Sequence, residues 1–126
     1  MKLTSNMEDY LEAIAFCADK SGVARVRDIR NMLGVKTPSV TGAIKALSEE
    51  GYVCHAPYSG VTLTTKGKRA AQDVKKRHTI FKCFLEQVLG VNPKIAEQDA
   101  CKMEHTVSRE TMSKLKTYLQ KIAKQK

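Results

Sequence analysis

A chain of 126 residues with 42% apolar and 28% charged residues is long enough to bury a core without disulfide or metal staples. No apolar run approaches the roughly 18 residues that span a bilayer, and Met1-Lys2-Leu3-Thr4-Ser5 opens no apolar signal segment, so a cytoplasmic protein without a membrane partner is expected. The net charge of +9 points to a polyanionic partner, whereas Cys17, Cys54, Cys83 and Cys101, lacking C-x-x-C spacing, argue against a disulfide framework or a zinc knuckle.

The charge is unevenly spread. Residues 1–60 carry seven basic and seven acidic side chains, 61–80 six and one, and 81–126 nine and five, so the surplus starts at Lys66, Lys68 and Arg69.

In chain order, Ser5 with Glu8 three residues on has the form of a capping box, ahead of Tyr10, Leu11, Ile14 and Ala15 at amphipathic spacing. This first helix is expected to end near Lys20-Ser21-Gly22. A short extended Val23–Val26 leads into a second helix from Arg27 to Leu33, closed by Gly34. Thr37 as N-cap and Pro38 at N1 open a third helix through Val40, Ala43, Ile44 and Leu47, stopping at Gly51. Two short helices around a tight turn have the shape of a helix-turn-helix. Next, 52–56 and 61–64 alternate as strands about Pro57-Tyr58-Ser59-Gly60, which makes a wing. A long helix follows from Thr65 to Val88, its first turn weakened by Gly67 at a cost of about 1 kcal/mol. After Gly90-Val91-Asn92-Pro93, one helix is predicted to reach His105, and Ser108 starts a last one through Met112, Leu115, Leu119 and Ile122.

A recognition helix presents small polar side chains at its N-terminal end, where free N–H groups and the helix dipole meet phosphates. Thr37, Pro38, Ser39 and Thr41 fit that role, with Lys36 and Lys45 beside them. Arg25 and Arg27 flanking the start of the second helix, Lys66 after the wing and Tyr58 at its tip complete the expected contact set for a double-stranded DNA operator. Gly42 is a poor base reader.

Metal chemistry is suggested by Cys101, Glu104 and His105 at i, i+3 and i+4, which on one helix would share a face. Asp9 and Glu12 stand i, i+3 at the edge of the apolar side of the first helix, and His78 lies late on the long helix near Phe81. Singly, these residues have ordinary explanations: a half-buried histidine, a charge pair favoured by the helix dipole, a small core thiol. Together, three helices each offer a ligand type on a core-bordering face, and a divalent cation would neutralise a cluster that is costly to bury alone. Two other classes compete. One is a winged-helix regulator answering to a small molecule or to oxidation of Cys101; the other is an enzyme with Cys101 as nucleophile, His105 as base and Glu104 as orienter, which lacks a glycine-rich oxyanion loop.

The segments Met7-Glu8-Asp9-Tyr10-Leu11-Glu12-Ala13-Ile14, Thr37-Pro38-Ser39-Val40-Thr41, Gly60 to Gly67, Lys76-Arg77-His78, Phe84 to Val91 and Asp99 to His105 resemble the diphtheria-toxin-repressor family of metalloregulators, in order and over nearly the whole chain. The likeness is nearest to the short, manganese-transport-regulator type without an SH3-like domain. It implies a mainly α fold, with a winged helix-turn-helix DNA-binding domain over 1–72 and a helical metal-binding and dimerisation domain over 73–126. It further implies a homodimer that binds Mn(II) or Fe(II) through Asp9, Glu12, His78, Cys101, Glu104 and His105 and represses metal-uptake genes. The pattern is mixed: Asp9 and Glu12 match manganese-type members, while Cys101 is the thiol of iron-type members and also suits Co(II) or Zn(II). Lys82 stands where many members place a glutamate that ligates an additional metal. Its ammonium would repel a second cation, with Glu97 and Asp99 left as further contributors.

Overall fold

The computed structural model describes residues 3–56 and 60–124, and the chain divides into two compact units, Met1–Asp73 and Val74–Lys126. The first contains α1 (Ser5–Cys17), β1 (Val23–Ala24), α2 (Val26–Leu33), α3 (Thr37–Glu49), β2 (Val53–Ala56), β3 (Gly60–Leu63) and the start of α4 (Thr65–Cys83). The second holds the rest of α4, a π-helical segment (Phe84–Val88), α5 (Pro93–Met103) and α6 (Arg109–Lys124). The fold is mainly α, as expected. Among the described residues, no helix is long and apolar enough to cross a membrane.

Thr4, rather than Ser5, caps α1: its backbone is extended and its hydroxyl accepts the Met7 N–H at 3.1 Å. Ser5 thus becomes the first helical residue, and Glu8, now four residues after the cap rather than three, is buried. The helix also stops earlier than predicted, at Cys17. Asp19 Oδ1 accepts the N–H groups of Ser21 at 2.8 Å and Val23 at 3.0 Å, and the Ser21 hydroxyl at 2.6 Å, folding the chain into a turn that feeds β1.

Gly34 ends α2 in the left-handed region, φ 66°, with its N–H on the Arg30 carbonyl at 2.9 Å, a conformation glycine adopts without a Cβ clash. The next cap again differs from the prediction. Lys36 holds the extended capping position, and Thr37 is already helical, its hydroxyl accepting from Arg30 Nη1 at 3.3 Å. Pro38 sits in the first turn, where its missing N–H has no helical partner to lose. Val40, Ile44 and Leu47, spaced i, i+4, i+7, are fully buried in one core with Leu11, Ile14 and Ile29.

The sheet order is β1-β3-β2, antiparallel throughout, with Val23 opposite Thr62 and Val53 opposite Leu63. Hairpin β2–β3 is the wing, and Val61 points into the core. At its base Thr64 Oγ1 donates to the Gly51 carbonyl at 2.7 Å and accepts the Gly67 N–H at 3.1 Å, starting α4. A Cβ on Gly67 would run into the Tyr52 carbonyl. The glycine expected only to weaken this helix therefore permits the close approach that docks α4 on the wing.

In the second unit α4 is regular to Cys83 and then widens, with Leu89 N–H on the Phe84 carbonyl at 3.3 Å, so the predicted α-helix to Val88 ends in a π-turn. Asn92 caps α5 by accepting the Lys94 N–H at 2.9 Å, with Pro93 at the first helical position. Ser108 Oγ accepts the Thr111 N–H at 3.2 Å ahead of α6. Phe81, Ala100 and Met112 form the buried core, with Ile80, Met103, Val107 and Leu115 packed around it.

Candidate metal centre

The residues from Cys101 to His105 do not lie on one uninterrupted helix. α5 ends at Met103; Cys101 is in its last turn, Glu104 is the C-cap, and His105 lies in the turn beyond, where Thr106 N–H meets the Met103 carbonyl at 3.2 Å. The three side chains differ in exposure: Cys101 is exposed, whereas Glu104 is 1% exposed and His105 is half-buried. Arg77 pins this corner to α4 by donating to the Glu104 backbone carbonyl at 2.6 Å.

His78 is the hub. Its Nδ1 stands 2.8 Å from Glu104 Oε2 and its Nε2 2.9 Å from Glu97 Oε1, while Cys101 Sγ lies 3.7 Å from Nδ1. His105 Nε2 lies 3.3 Å from the other Glu104 oxygen, Oε1. A buried carboxylate thus sits between two imidazoles, a thiol and a second carboxylate alongside. Ligand atoms of His78, Glu97 and Cys101 all fall within 4.8 Å of one another, close enough for one cation to meet nitrogen, oxygen and sulfur donors together. These residue types fit a divalent transition metal, which would take neutral imidazole, carboxylate and thiolate.

Burial by itself would lower the affinity of His78 for a proton. The hydrogen bond to Glu97, the charges of Glu104 and Glu97 and the hydrogen bond to Glu104 outweigh it, and the imidazole pKa is raised. Glu97 is held below the usual carboxylate range, first by its hydrogen bond to His78 and further by Lys82, whose Nζ is 3.5 Å from Oε2.

Of the six ligands implied by the resemblance, His78, Cys101, Glu104 and His105 come together in the second unit; Asp9 and Glu12 are half-buried on α1 of the first. Glu97 was foreseen only as a possible extra contributor, yet it binds His78 directly. Its signal was available: Glu97, Cys101 and Glu104 are spaced i, i+4, i+7, one stripe of α5 and its cap.

The predicted DNA contacts lie on the first unit. Arg25, Arg27, Lys36, Thr37, Pro38, Ser39, Thr41 and Lys45 are exposed, six of them at or along α3. Thr41 Oγ1 donates to the Thr37 carbonyl at 3.1 Å, and Arg30, overlooked in the sequence, braces Thr37. Lys66 is committed to the wing: it donates to the Glu50 carbonyl at 2.9 Å and lies 4.3 Å from the Tyr52 ring centroid. Tyr58 lies outside the described residues.

A winged helix-turn-helix followed by a helical unit with a mixed nitrogen, oxygen and sulfur donor cluster defines a metal-responsive DNA-binding regulator. The chain belongs to the iron-dependent repressor family: residues 2–61 match its N-terminal DNA binding domain and residues 64–126 its metal binding and dimerisation domain. It is a metal-dependent transcriptional repressor, with DNA and a second copy of itself as partners, and not an enzyme. It is 36% identical over 120 residues to an uncharacterised helix-turn-helix transcriptional regulator of Methanocaldococcus jannaschii, covering 94% of this chain and 96% of that one. It is 41% identical over 115 residues to the transcriptional regulator MntR of Escherichia coli O6:H1, covering 91% and 74%. The crystal structure of the metal-dependent transcriptional regulator MtsR superposes with a TM-score of 0.83 at 27% identity, over 94% of this chain and 55% of that one.

Proposed function

We propose that the protein is a cytoplasmic repressor of manganese or iron homeostasis genes whose dimer binds its operator when loaded with Mn(II) or Fe(II). The ligands are Asp9, Glu12, His78, Cys101, Glu104 and His105, with Glu97 joining through His78. The observation that carries this reading is the nearly fully buried Glu104 carboxylate between His78 and His105. Such a carboxylate is costly to bury unless protons or a cation neutralise the cluster, and a metal does so while converting its own binding energy into a preference for one conformation.

Because ligands are drawn from α1, α4 and the end of α5, metal selects the geometry at which two recognition helices meet successive major grooves, about 34 Å apart. Supporting Mn(II) are the oxygen donors and the likeness, at 27% identity, to a solved structure of the manganese regulator SloR; supporting Fe(II), with Co(II) or Zn(II) as stand-ins in vitro, is the Cys101 thiol. The decisive experiment is calorimetric titration with Mn(II), Fe(II), Co(II) and Zn(II) coupled to a DNA-shift assay. Glu104→Ala and His105→Ala proteins that stay folded should lose the metal dependence of DNA binding; an unchanged dependence in both would sink the reading.

A further inference from the structure

The positive charge of this repressor does not sit mainly on its DNA-binding unit. Residues 1–73 hold ten cationic and eight acidic side chains, whereas residues 74–126 hold twelve and five, so +7 of the +9 belongs to the unit with the donor cluster. Much of it is on α6. Arg109, Lys114, Lys116, Lys121 and Lys124 are all exposed, with Glu110 the one acid on that helix.

At 100° per residue these five cations occupy an arc of roughly 160°, opposite the stripe of Met112, Leu115, Leu119 and Ile122. Met112 is buried in the core of the unit, and Leu115 packs against it. Lys121 and Lys124, one turn apart, repel each other, a cost that an anionic partner relieves.

We propose that the outward face of α6 is a second polyanion-binding surface of the protein, specific for the phosphate backbone of duplex DNA. A basic amphipathic helix could alternatively lie on an anionic membrane, but that mode needs its apolar face, and here Met112 and Leu115 are already used by the fold. Exposed ammonium groups on flexible stems, spread along a 16-residue helix about 24 Å long, suit contact with successive phosphates rather than base edges. This surface supplies affinity without sequence preference and is independent of the metal reading.

The test compares two charge-matched variants of the full-length protein on a random-sequence 40-base-pair duplex, with chelator and with Mn(II): Lys114→Gln/Lys116→Gln/Lys121→Gln against Lys20→Gln/Lys75→Gln/Lys94→Gln. Each phosphate contact contributes about 0.9 to the slope of log affinity against log salt. The α6 triple should flatten that slope by about 2–3 in both metal states and the control triple by less than 1, while an all-arginine version of the α6 triple restores it. Circular dichroism and sedimentation verify that fold and dimer persist. Equal flattening in both triples, an unchanged slope in the α6 triple, or α6-dependent binding to phosphatidylserine vesicles in place of DNA would overturn the proposal.

Discussion

His78 Nδ1 stands 2.8 Å from Oε2 of Glu104, joining α4 to the cap of α5 through one short contact inside the second unit. The contact fixes the His78 ring against the buried Glu104 carboxylate. Glu104→Gln removes the charge but keeps the shape, so His78 should become easier to deprotonate, followed by NMR of the ring protons. The metal-free protein should lose about 1–3 kcal/mol, read by urea unfolding. Metal affinity should fall by more than the roughly 10–100-fold typical of losing a ligand's outer partner, since Glu104 is proposed as a ligand itself.

The two shifted groups set a pH window for the metal-free protein. The His78 pKa is raised, so its contribution is complete below about pH 6.5 and disappears as pH rises through the elevated folded value. Glu97 is depressed, so its contribution is present above about pH 4.3 and is lost as pH falls through the lower folded value. Thermal stability with chelator should therefore be greatest between these limits, and His78→Gln should remove its decline on the alkaline side. Metal binding runs the other way, weakening as His78 takes up its proton, which titrations across pH 6–8 measure.

Two helix glycines should respond oppositely to alanine. A methyl at Gly67 collides with the Tyr52 carbonyl, so Gly67→Ala should destabilise the protein toward the upper end of the 1–3 kcal/mol typical of overpacking and loosen the wing. Gly42 lies on the exposed face of α3 with nothing within 4 Å of an added Cβ, so Gly42→Ala should stabilise by about 1 kcal/mol. Chemical denaturation of both variants distinguishes the cases.

Lys82 is expected to oppose a second cation. Its Nζ lies 3.5 Å from Glu97 Oε2 and 3.9 Å from Glu86 Oε2, so its ammonium already neutralises part of the donor cluster. Lys82→Glu replaces that charge with a ligand, and calorimetry with Co(II) should show stoichiometry rising from about one toward two ions per subunit. An unchanged stoichiometry would show that Lys82 does not limit occupancy.

Helices, wing and turn residues were legible because they rest on local rules: apolar spacing in α1 and α3, a positive-φ glycine after α2, Asn92-Pro93 at the start of α5. The caps of α1 and α3 shifted by one residue because Thr4 and Lys36, not the neighbouring Ser5 and Thr37, take up extended backbone. The donor residue types were also legible, since a thiol, a carboxylate and an imidazole close in sequence can be read without knowing where each points.

By itself, then, the sequence determined the two-part architecture, the family and which donor-bearing residues cluster in the second unit, all carried by periodicity and motif order. Only the tertiary structure decided which groups meet. It ended α5 at Met103, burying Glu104 while leaving Cys101 exposed, brought Glu97 onto His78, and turned Lys66 and Gly67 into parts of the wing's anchorage. The reason is that spacing along one helix fixes direction only about that helix's axis, whereas hydrogen bonds and steric contacts between elements depend on how separate segments pack.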